Sequence, residues 1–309
     1  MKKIYLLAFL WLTITGYSQE GFPVYSDYLT DNYFLIHPSA AGSSVQNKIR
    51  TSLRGQWIDM PGTPQLQSLS AYVNTGDQTA LGLVIYNDEN GHFNQFGGGL
   101  TYAYHLDLGD FNKQQLSFGL SLSFLNSSLD TSDFTGMDEV SYLDQFDGWD
   151  YNFDISLGYR NQELYFFYTI KNLLKKESQN ISYRNHLLSM GYIYVVPRES
   201  KIRINPSLLL QYKEANEEII LDTNIKFFVP VEKNEIWSGI SFRNSLSDSI
   251  YEKSSWLGLF IGGKISRFVL AYTYTHQLNT TVYSTAGFHQ LTLGYNFKIT
   301  QKQERFFEL

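Results

Sequence analysis

The sequence predicts an all-β protein: a single transmembrane antiparallel β-barrel of about fourteen strands, with a short N-terminal plug-like segment. Three observations carry this. Apolar and polar residues alternate over long stretches, as in Trp149 to Arg160, "WDYNFDISLGYR". A period of two belongs to a strand with two unlike faces. Twelve residues also suit a tilted membrane strand of about nine to eleven better than a short soluble one. The composition is 43% hydrophobic and only 17% charged, with 23 Tyr and 22 Phe, against roughly 25% charged in ordinary globular domains. Finally, connections between the alternating stretches are long and short by turns, as in outer-membrane barrels.

The first residues, "MKKIYLLAFLWLTITGYSQE", read as an export signal over 1–18. Lys2 and Lys3 form the charged end, Ile4 to Ile14 the apolar core, and Gly16 and Ser18 the small cleavage positions. The apolar run is too short for a membrane anchor. Residues 19–47 form a periplasmic or plug segment. It holds Phe22, Tyr25, Tyr28, Tyr33, Phe34, Leu35 and Ile36, too apolar for a free tail. "NYFLIHPSAAG" within it is the one plausible short helix. The barrel spans 48–299 and a short tail 300–309.

Fourteen candidate strands follow, near 48–57, 65–73, 79–87, 94–105, 115–125, 149–160, 163–171, 185–196, 201–212, 218–229, 235–243, 255–263, 267–275 and 287–299. In "QLSFGLSLSF", Leu116, Phe118, Leu120, Leu122 and Phe124 oppose Ser117, Gly119, Ser121 and Ser123. "EIILDTNIKF" sets Ile219, Leu221, Ile225 and Phe227 against Asp222, Asn224 and Lys226. If the first strand leaves the periplasm, connections after odd strands are mostly long and those after even strands mostly short. An even strand number returns both ends to the periplasm.

The apolar face then meets lipid and the polar face lines the lumen. Closure is required because no backbone group can stay unpaired in hydrocarbon. Trp57, Tyr102, Tyr104, Trp149, Trp237, Tyr274 and Tyr295 are expected as interfacial girdle residues. Arg50, Arg54, Arg160, Arg203 and Lys226 share the inward register with Asp150, Asp154 and Asp222. Mixed signs suit pairing within a wall lattice or a docking surface for a plug or client. Pro206 lacks a donor and is expected near a strand start or a bulge.

"YLTDNYFLIHPSAAG" carries Asn32, Pro38 and Gly42. "RGQWIDMPGTPQLQSLS" carries Arg54, Gln56, Trp57, Gly62, Pro64 and Gln67. "LGLVIYNDENG" carries Gly82, Ile85, Asn87, Asp88 and Gly91. In their order and spacing these blocks resemble those of the PorP/SprF outer-membrane proteins of Bacteroidota, with His37 where that family usually has Asn. The resemblance implies an outer-membrane component of type IX secretion and gliding. Its implied partners are outer-membrane lipid, other secretion components and a secreted adhesin-like client that it binds or anchors.

Between 126 and 148 lie Asp130, Asp133, Asp138, Glu139, Asp144 and Asp147 with no Lys or Arg. Carboxylates suit Ca²⁺, but the spacing fits no calcium loop, and a client-contacting loop is expected. Lys171, Lys175, Lys176 and Arg184 carry the opposite sign on the next long connection. The six histidines form no ligand pair, and neither a nucleophile elbow nor a phosphate loop occurs, so no enzyme, cofactor or metal is expected. The formal charge of −6 points away from nucleic acid. Two functions remain open: a partner-binding barrel, or a channel for small or apolar solutes.

Overall fold

Two 3-10 turns, Tyr33–Leu35 and Pro38–Ala40, precede a run of antiparallel strands. The computed structural model describes residues 29, 32–56, 63–109, 114–130, 148–174, 182–197, 201–246, 255–278 and 287–299. The strands are β1 (Gln46–Gln56), β2 (Gln65–Asn74), β3 (Thr79–Asn90), β4 (Phe93–Asp107), β5 (Gln115–Leu129), β6 (Gly148–Arg160), β7 (Leu164–Lys171) and β8 (Asn185–Tyr192). A two-residue piece, β9 (Tyr194–Val195), continues β8. Then come β10 (Arg203–Lys213), β11 (Glu218–Val231), β12 (Asn234–Ser245), β13 (Ser255–Ile265), β14 (Phe268–Gln277) and β15 (Phe288–Ile299).

Each strand pairs with its neighbours in sequence, and β15 pairs with β1 from Gln56↔Phe288 to Gln46↔Ile299. The sheet is therefore closed. With β8 and β9 counted as one stave, the wall has fourteen, so each of the fourteen expected strands is present. Short turns join the strands at the mouth that carries the start of β1 and the end of β15, the periplasmic side of such a barrel. The long connections lie at the other, outer mouth.

Burial alternates as the sequence pattern requires, and β10 reads buried at Arg203, Asn205, Ser207, Leu209 and Gln211 between exposed neighbours. Leu53, Leu100, Leu120, Ile240, Leu259, Ile261 and Leu293 stand on the exposed outer face. In water this much exposed apolar surface would be untenable, while against lipid it is the stable arrangement. Among the girdle expectations, Tyr102 and Trp149 face outward and exposed, and Tyr104, Tyr274 and Tyr295 are partly exposed. Trp57 lies outside the described residues. Trp237 is a correction: it points inward, 3% exposed, because it shares the register of Gly239 and Ser241 on β12.

Pro206 sits inside β10, opposite Ile225 of β11. On its other side the ladder breaks. β8 pairs with β10 from Ser207 onward and β9 pairs only with Arg203 and Ile204. The missing Pro206 donor thus falls where β8 and β9 part at Ile193. Ile193 turns inward, buried, with its N–H on the Glu163 carbonyl at 2.7 Å.

Candidate functional site

The lumen is not uniformly polar, which corrects the sequence expectation. The inward faces of β1 to β7 carry mainly small or hydrophilic groups: Ser52, Ser70, Thr101, Ser117, Ser121, Ser156 and Thr169. From β8 to β14 polar groups such as Arg203, Asn205, Gln211, Asp222 and Lys226 share the inward face with one bulky apolar cluster, Leu187, Leu209, Phe228, Trp237, Phe260, Val269 and Ala271. Residues 29 and 32–44 meet both walls. Leu29, Leu35 and Ile36 join the apolar cluster. On the polar side Asn32 donates from Nδ2 to Ser70 Oγ at 2.8 Å, and Ser39 Oγ lies 2.7 Å from Ser156 Oγ. His37 lies between Thr169 Oγ1 and Ser189 Oγ, each at 2.7 Å. Thr169 Oγ1 in turn donates to Ser156 Oγ at 2.7 Å. A hydrogen-bonded chain therefore runs Ser39–Ser156–Thr169–His37–Ser189 across β6, β7 and β8.

The wall makes room for this segment. A Cβ on Gly119 would stand 2.3 Å from the Ser39 nitrogen and 2.4 Å from the Pro38 carbonyl carbon. The exit turn needs Gly42, whose φ is +72 and whose Cβ would meet Ala80 at 2.3 Å. His105, fully buried, donates from Nε2 to the Ala41 carbonyl at 2.8 Å, and its Nδ1 lies 2.8 Å from Ser117 Oγ. Because a carbonyl oxygen only accepts, Nε2 carries the proton there and Nδ1 receives the Ser117 hydroxyl.

The predicted lumen charges take specific places. Arg50, Arg54, Asp154, Arg160, Arg203, Asp222 and Lys226 are all buried inside the wall. Asp222 accepts two bonds from Arg243, from Nε and Nη2, both at 2.6 Å. Arg203 pairs with Glu235 and also covers the Phe228 ring at 4.5 Å. Lys226 lies 4.6 Å from that ring centroid and 5.1 Å from that of Trp237. Asp154 accepts the Asn172 N–H at 3.0 Å. Arg160 Nη1 reaches the Ser43 carbonyl at 3.5 Å. Asp150 is a correction: it keeps the inward register but stands exposed at the outer rim. Lys171 ends β7, as the expected strand 163–171 has it, and instead of pairing on the charged connection it donates to the Leu35 carbonyl at 3.1 Å. Arg243 and Glu235 escaped the sequence reading because each lies near a strand end, where alternation is short.

Of the acidic connection, Asp130 is described and exposed, with its N–H on the His92 carbonyl at 2.8 Å. Asp133, Asp138, Glu139, Asp144 and Asp147 lie outside the described residues, as do Lys175 and Lys176. At the outer end of β10, Glu214 gathers its neighbours. It accepts from Ser182 Oγ at 2.5 Å, lies 2.8 Å from His186 Nε2, and its N–H reaches the Arg184 carbonyl at 3.0 Å. His186 also meets the Tyr168 hydroxyl at 2.8 Å.

The wall is closed and its outer face suits lipid. The family model for the type IX secretion system membrane protein PorP/SprF matches residues 18–295. The chain belongs to the PorP/SprF family. No curated protein matches it. Among solved structures it is similar to the CymD monoaromatic hydrocarbon channel, with 9% identity, a TM-score of 0.51, and coverage of 88% of this chain and 93% of that one. A TodX monoaromatic hydrocarbon channel mutant follows at 9% identity and TM-score 0.47, covering 86% of this chain and 92% of that one. Omp33 of Acinetobacter baumannii has 7% identity and TM-score 0.45, covering 82% of this chain and 99% of that one. At such identities the likeness concerns the fold alone.

The motif residues of this PorP/SprF barrel have structural work. Asn32, Pro38 and Gly42 shape the luminal segment. Gln56 donates its N–H to the Pro64 carbonyl at 3.0 Å, drawing β1 and β2 together at the outer mouth. Asn87 Nδ2 donates to Glu89 at 2.8 Å, Asp88 lies one residue between them, and Gly91, φ +60, makes the β3–β4 turn. Arg54 is buried, and Gly62 lies outside the described residues. No group of three His, Asp or Glu side chains among the described residues could hold a metal ion.

Proposed function

We propose that this type IX secretion barrel works by binding rather than by conducting. Its rigid wall presents the outer rim and long connections to a secreted, adhesin-like surface protein and holds it at the cell surface. Residues 19–47 act as a resident plug after removal of a signal over 1–18. The observation that supports this reading is the set of contacts between the N-terminal segment and the inner wall. Leu29, Leu35 and Ile36 occupy the apolar wall, and Asn32, His37 and Ser39 engage the polar one. Nothing in this arrangement calls for catalysis.

The rival, a channel for small or apolar solutes, would use the same apolar wall as a binding surface. Leu29, Leu35 and Ile36 of the chain itself pack against the cluster on that wall. Planar-bilayer recording separates the two. A silent full-length barrel that co-purifies with a large exported protein supports anchoring, and a steady open conductance overturns it.

A further inference from the structure

The inner surface of β7 holds the N-terminal segment at two successive inward positions. Thr169 Oγ1 lies 2.7 Å from His37 Nδ1, and Lys171 Nζ donates to the Leu35 carbonyl at 3.1 Å. That carbonyl belongs to the turn Tyr33–Leu35, where the Ile36 and His37 N–H groups both go back to Tyr33 O, at 3.1 and 2.9 Å. Lys171 is also the last residue of β7, so the same residue stands at the outer end of its stave.

Beyond Lys171 the chain folds back along β6. The β6–β7 ladder stops at Ile155↔Ile170, and one step further the register would set Asp154 against Lys171. Asn172 turns away instead, with φ at +56, a conformation that asparagine adopts more readily than most side chains. Its N–H goes to the Asp154 carboxylate at 3.0 Å. The next N–H groups continue along β6, Leu173 to the Phe153 carbonyl and Leu174 to Asn152 Oδ1, both at 2.8 Å. Asn152 Nδ2 returns to the Leu174 carbonyl at 3.1 Å. The chain coming back toward β8 closes this strap. Asn172 Nδ2 reaches Tyr183 O at 3.3 Å, and Arg184 Nε reaches Leu173 O at 3.2 Å. Asp154, 8% exposed, is the joint. It fixes the strap through the Asn172 N–H, and its negative charge acts on the Lys171 ammonium that holds Leu35.

We propose that Asp154, Lys171 and Asn172 form a latch between the outer rim and the luminal segment. With residues 172–174 lying on β6, Lys171 is held at Leu35. When a protein docked on this rim lifts them, Asn172 leaves Asp154, Lys171 loses its fixed position, and residues 33–41 loosen. Rim and segment then share one coupling free energy, and each feels the other by the same amount. The latch rests on the partner-binding reading above and gives docking a consequence inside the barrel.

The test uses the full barrel in nanodiscs and reads amide hydrogen exchange, normalised to intrinsic rates, which reports local opening. Asn152→Ala removes both ties to Leu174 and leaves Asp154, Lys171 and residues 32–44 unchanged. Exchange at Leu174 should rise. With it, exchange should rise several-fold at His37, Ala40 and Ala41, whose N–H groups close the turns of the segment. Asn244→Ala, which removes the acceptor of Ser255 Oγ at the β12–β13 rim, should leave the segment protected. Lys171→Met severs the hold on Leu35. It should raise exchange at His37 by itself, and adding Asn152→Ala should raise it no further, the non-additivity of coupled residues. Faster exchange at Leu174 with His37, Ala40 and Ala41 as protected as in wild type would overturn the latch. So would unchanged exchange at Leu174, additive effects in the double variant, or equal loosening by Asn244→Ala, which would mark a general softening of the wall.

Planar-bilayer recording and recovery of an exported protein test the parent reading separately. If wild type is silent and retains a partner while Asn152→Ala leaves the segment protected, the latch alone fails. If wild type conducts steadily and retains none, partner binding fails whatever the exchange shows.

Discussion

The His37 imidazole lies nearly parallel to the Phe167 ring, 5.3 Å between centroids and 18° between planes. Its two nitrogens meanwhile engage Thr169 of β7 and Ser189 of β8. One side chain from the N-terminal segment thus ties two adjacent staves. Replacing it by leucine fills the space but removes the His37 bond to the Ser189 hydroxyl and one of the two bonds described for the Thr169 hydroxyl, which keeps Ser156. Each such loss costs about 1–3 kcal/mol. The expected outcome for His37→Leu is a lower urea midpoint in detergent, and His37→Asn, which can still reach one hydroxyl, should fall between it and wild type. An unchanged midpoint in both would show that the tie is energetically idle.

Gly119 tests whether the segment is held by shape. A Cβ there would overlap the Ser39 backbone, which unlike a flexible side-chain tip cannot step aside cheaply. Gly119→Val should leave the wall intact by circular dichroism and displace the segment. Protease should then cut before Gln46 faster than in wild type, and conductance should rise from silence. Slow cutting and continued silence would mean that the segment tolerates the added bulk.

The wall was legible in the sequence for a physical reason. A barrel strand has lipid on one side and lumen on the other, so every residue reports its face, and the fourteen stretches were found with small errors at their ends. What lies inside was harder. Trp237 reads as a girdle residue because a tryptophan near a strand end usually is one. Only the register of Gly239 and Ser241 turns it inward. Lys171 reads as a loop cation because it closes the expected 163–171 strand and Lys175 and Lys176 follow it closely. Its role depends on the Leu35 carbonyl 136 positions away, a contact that no local pattern encodes. The plug-like expectation for the N-terminal segment rested on apolarity alone. The apolar cluster inside the wall was not visible, since its members alternate with lipid-facing residues just as the polar inward residues do.

Asp222 and Arg243 form a side-on pair in which Asp222 is 2% exposed. Arg243→Met would strip the guanidinium from a buried carboxylate, and breaking a buried pair in this way costs about 3–5 kcal/mol. The double variant Asp222→Leu/Arg243→Met removes both charges and should recover most of that loss. Equal destabilisation by the single and double variants, read from urea midpoints, would show that the pair is uncoupled.

Glu214 lies in the turn after β10, outside the membrane-spanning strands. Its hydrogen bonds with His186, and then with Ser182, hold its carboxyl below the usual range. A carboxyl with a depressed folded pKa stabilises the fold above its unfolded pKa, and this contribution is lost as pH falls through the folded value. The contacts at Ser182 and Arg184 should therefore loosen below the ordinary carboxylate range. Hydrogen exchange at the Glu214 amide, normalised to intrinsic rates, should show this acid-linked loss in wild type. In Glu214→Gln protection should be lower at neutral pH and lack the step. A wild-type profile that stays flat on acidification would remove Glu214 from this role.

The lipid-facing assignment is the most exposed to direct attack. Leu259 of β13 is 48% exposed and pairs with Ile240 of β12, which is 46% exposed. In water, arginine at such a position would be harmless or helpful. In hydrocarbon it costs about 2–4 kcal/mol near the midplane and little near the interfaces. Leu259→Arg should therefore lower stability in bilayers by an amount of that order, and Leu257→Arg, two residues nearer the outer end of β13, by less. A depth-dependent penalty cannot arise from a solvated outer surface, because water offers no gradient along the strand. Equal and negligible costs at both positions would place this face in water and remove the physical basis for a membrane barrel.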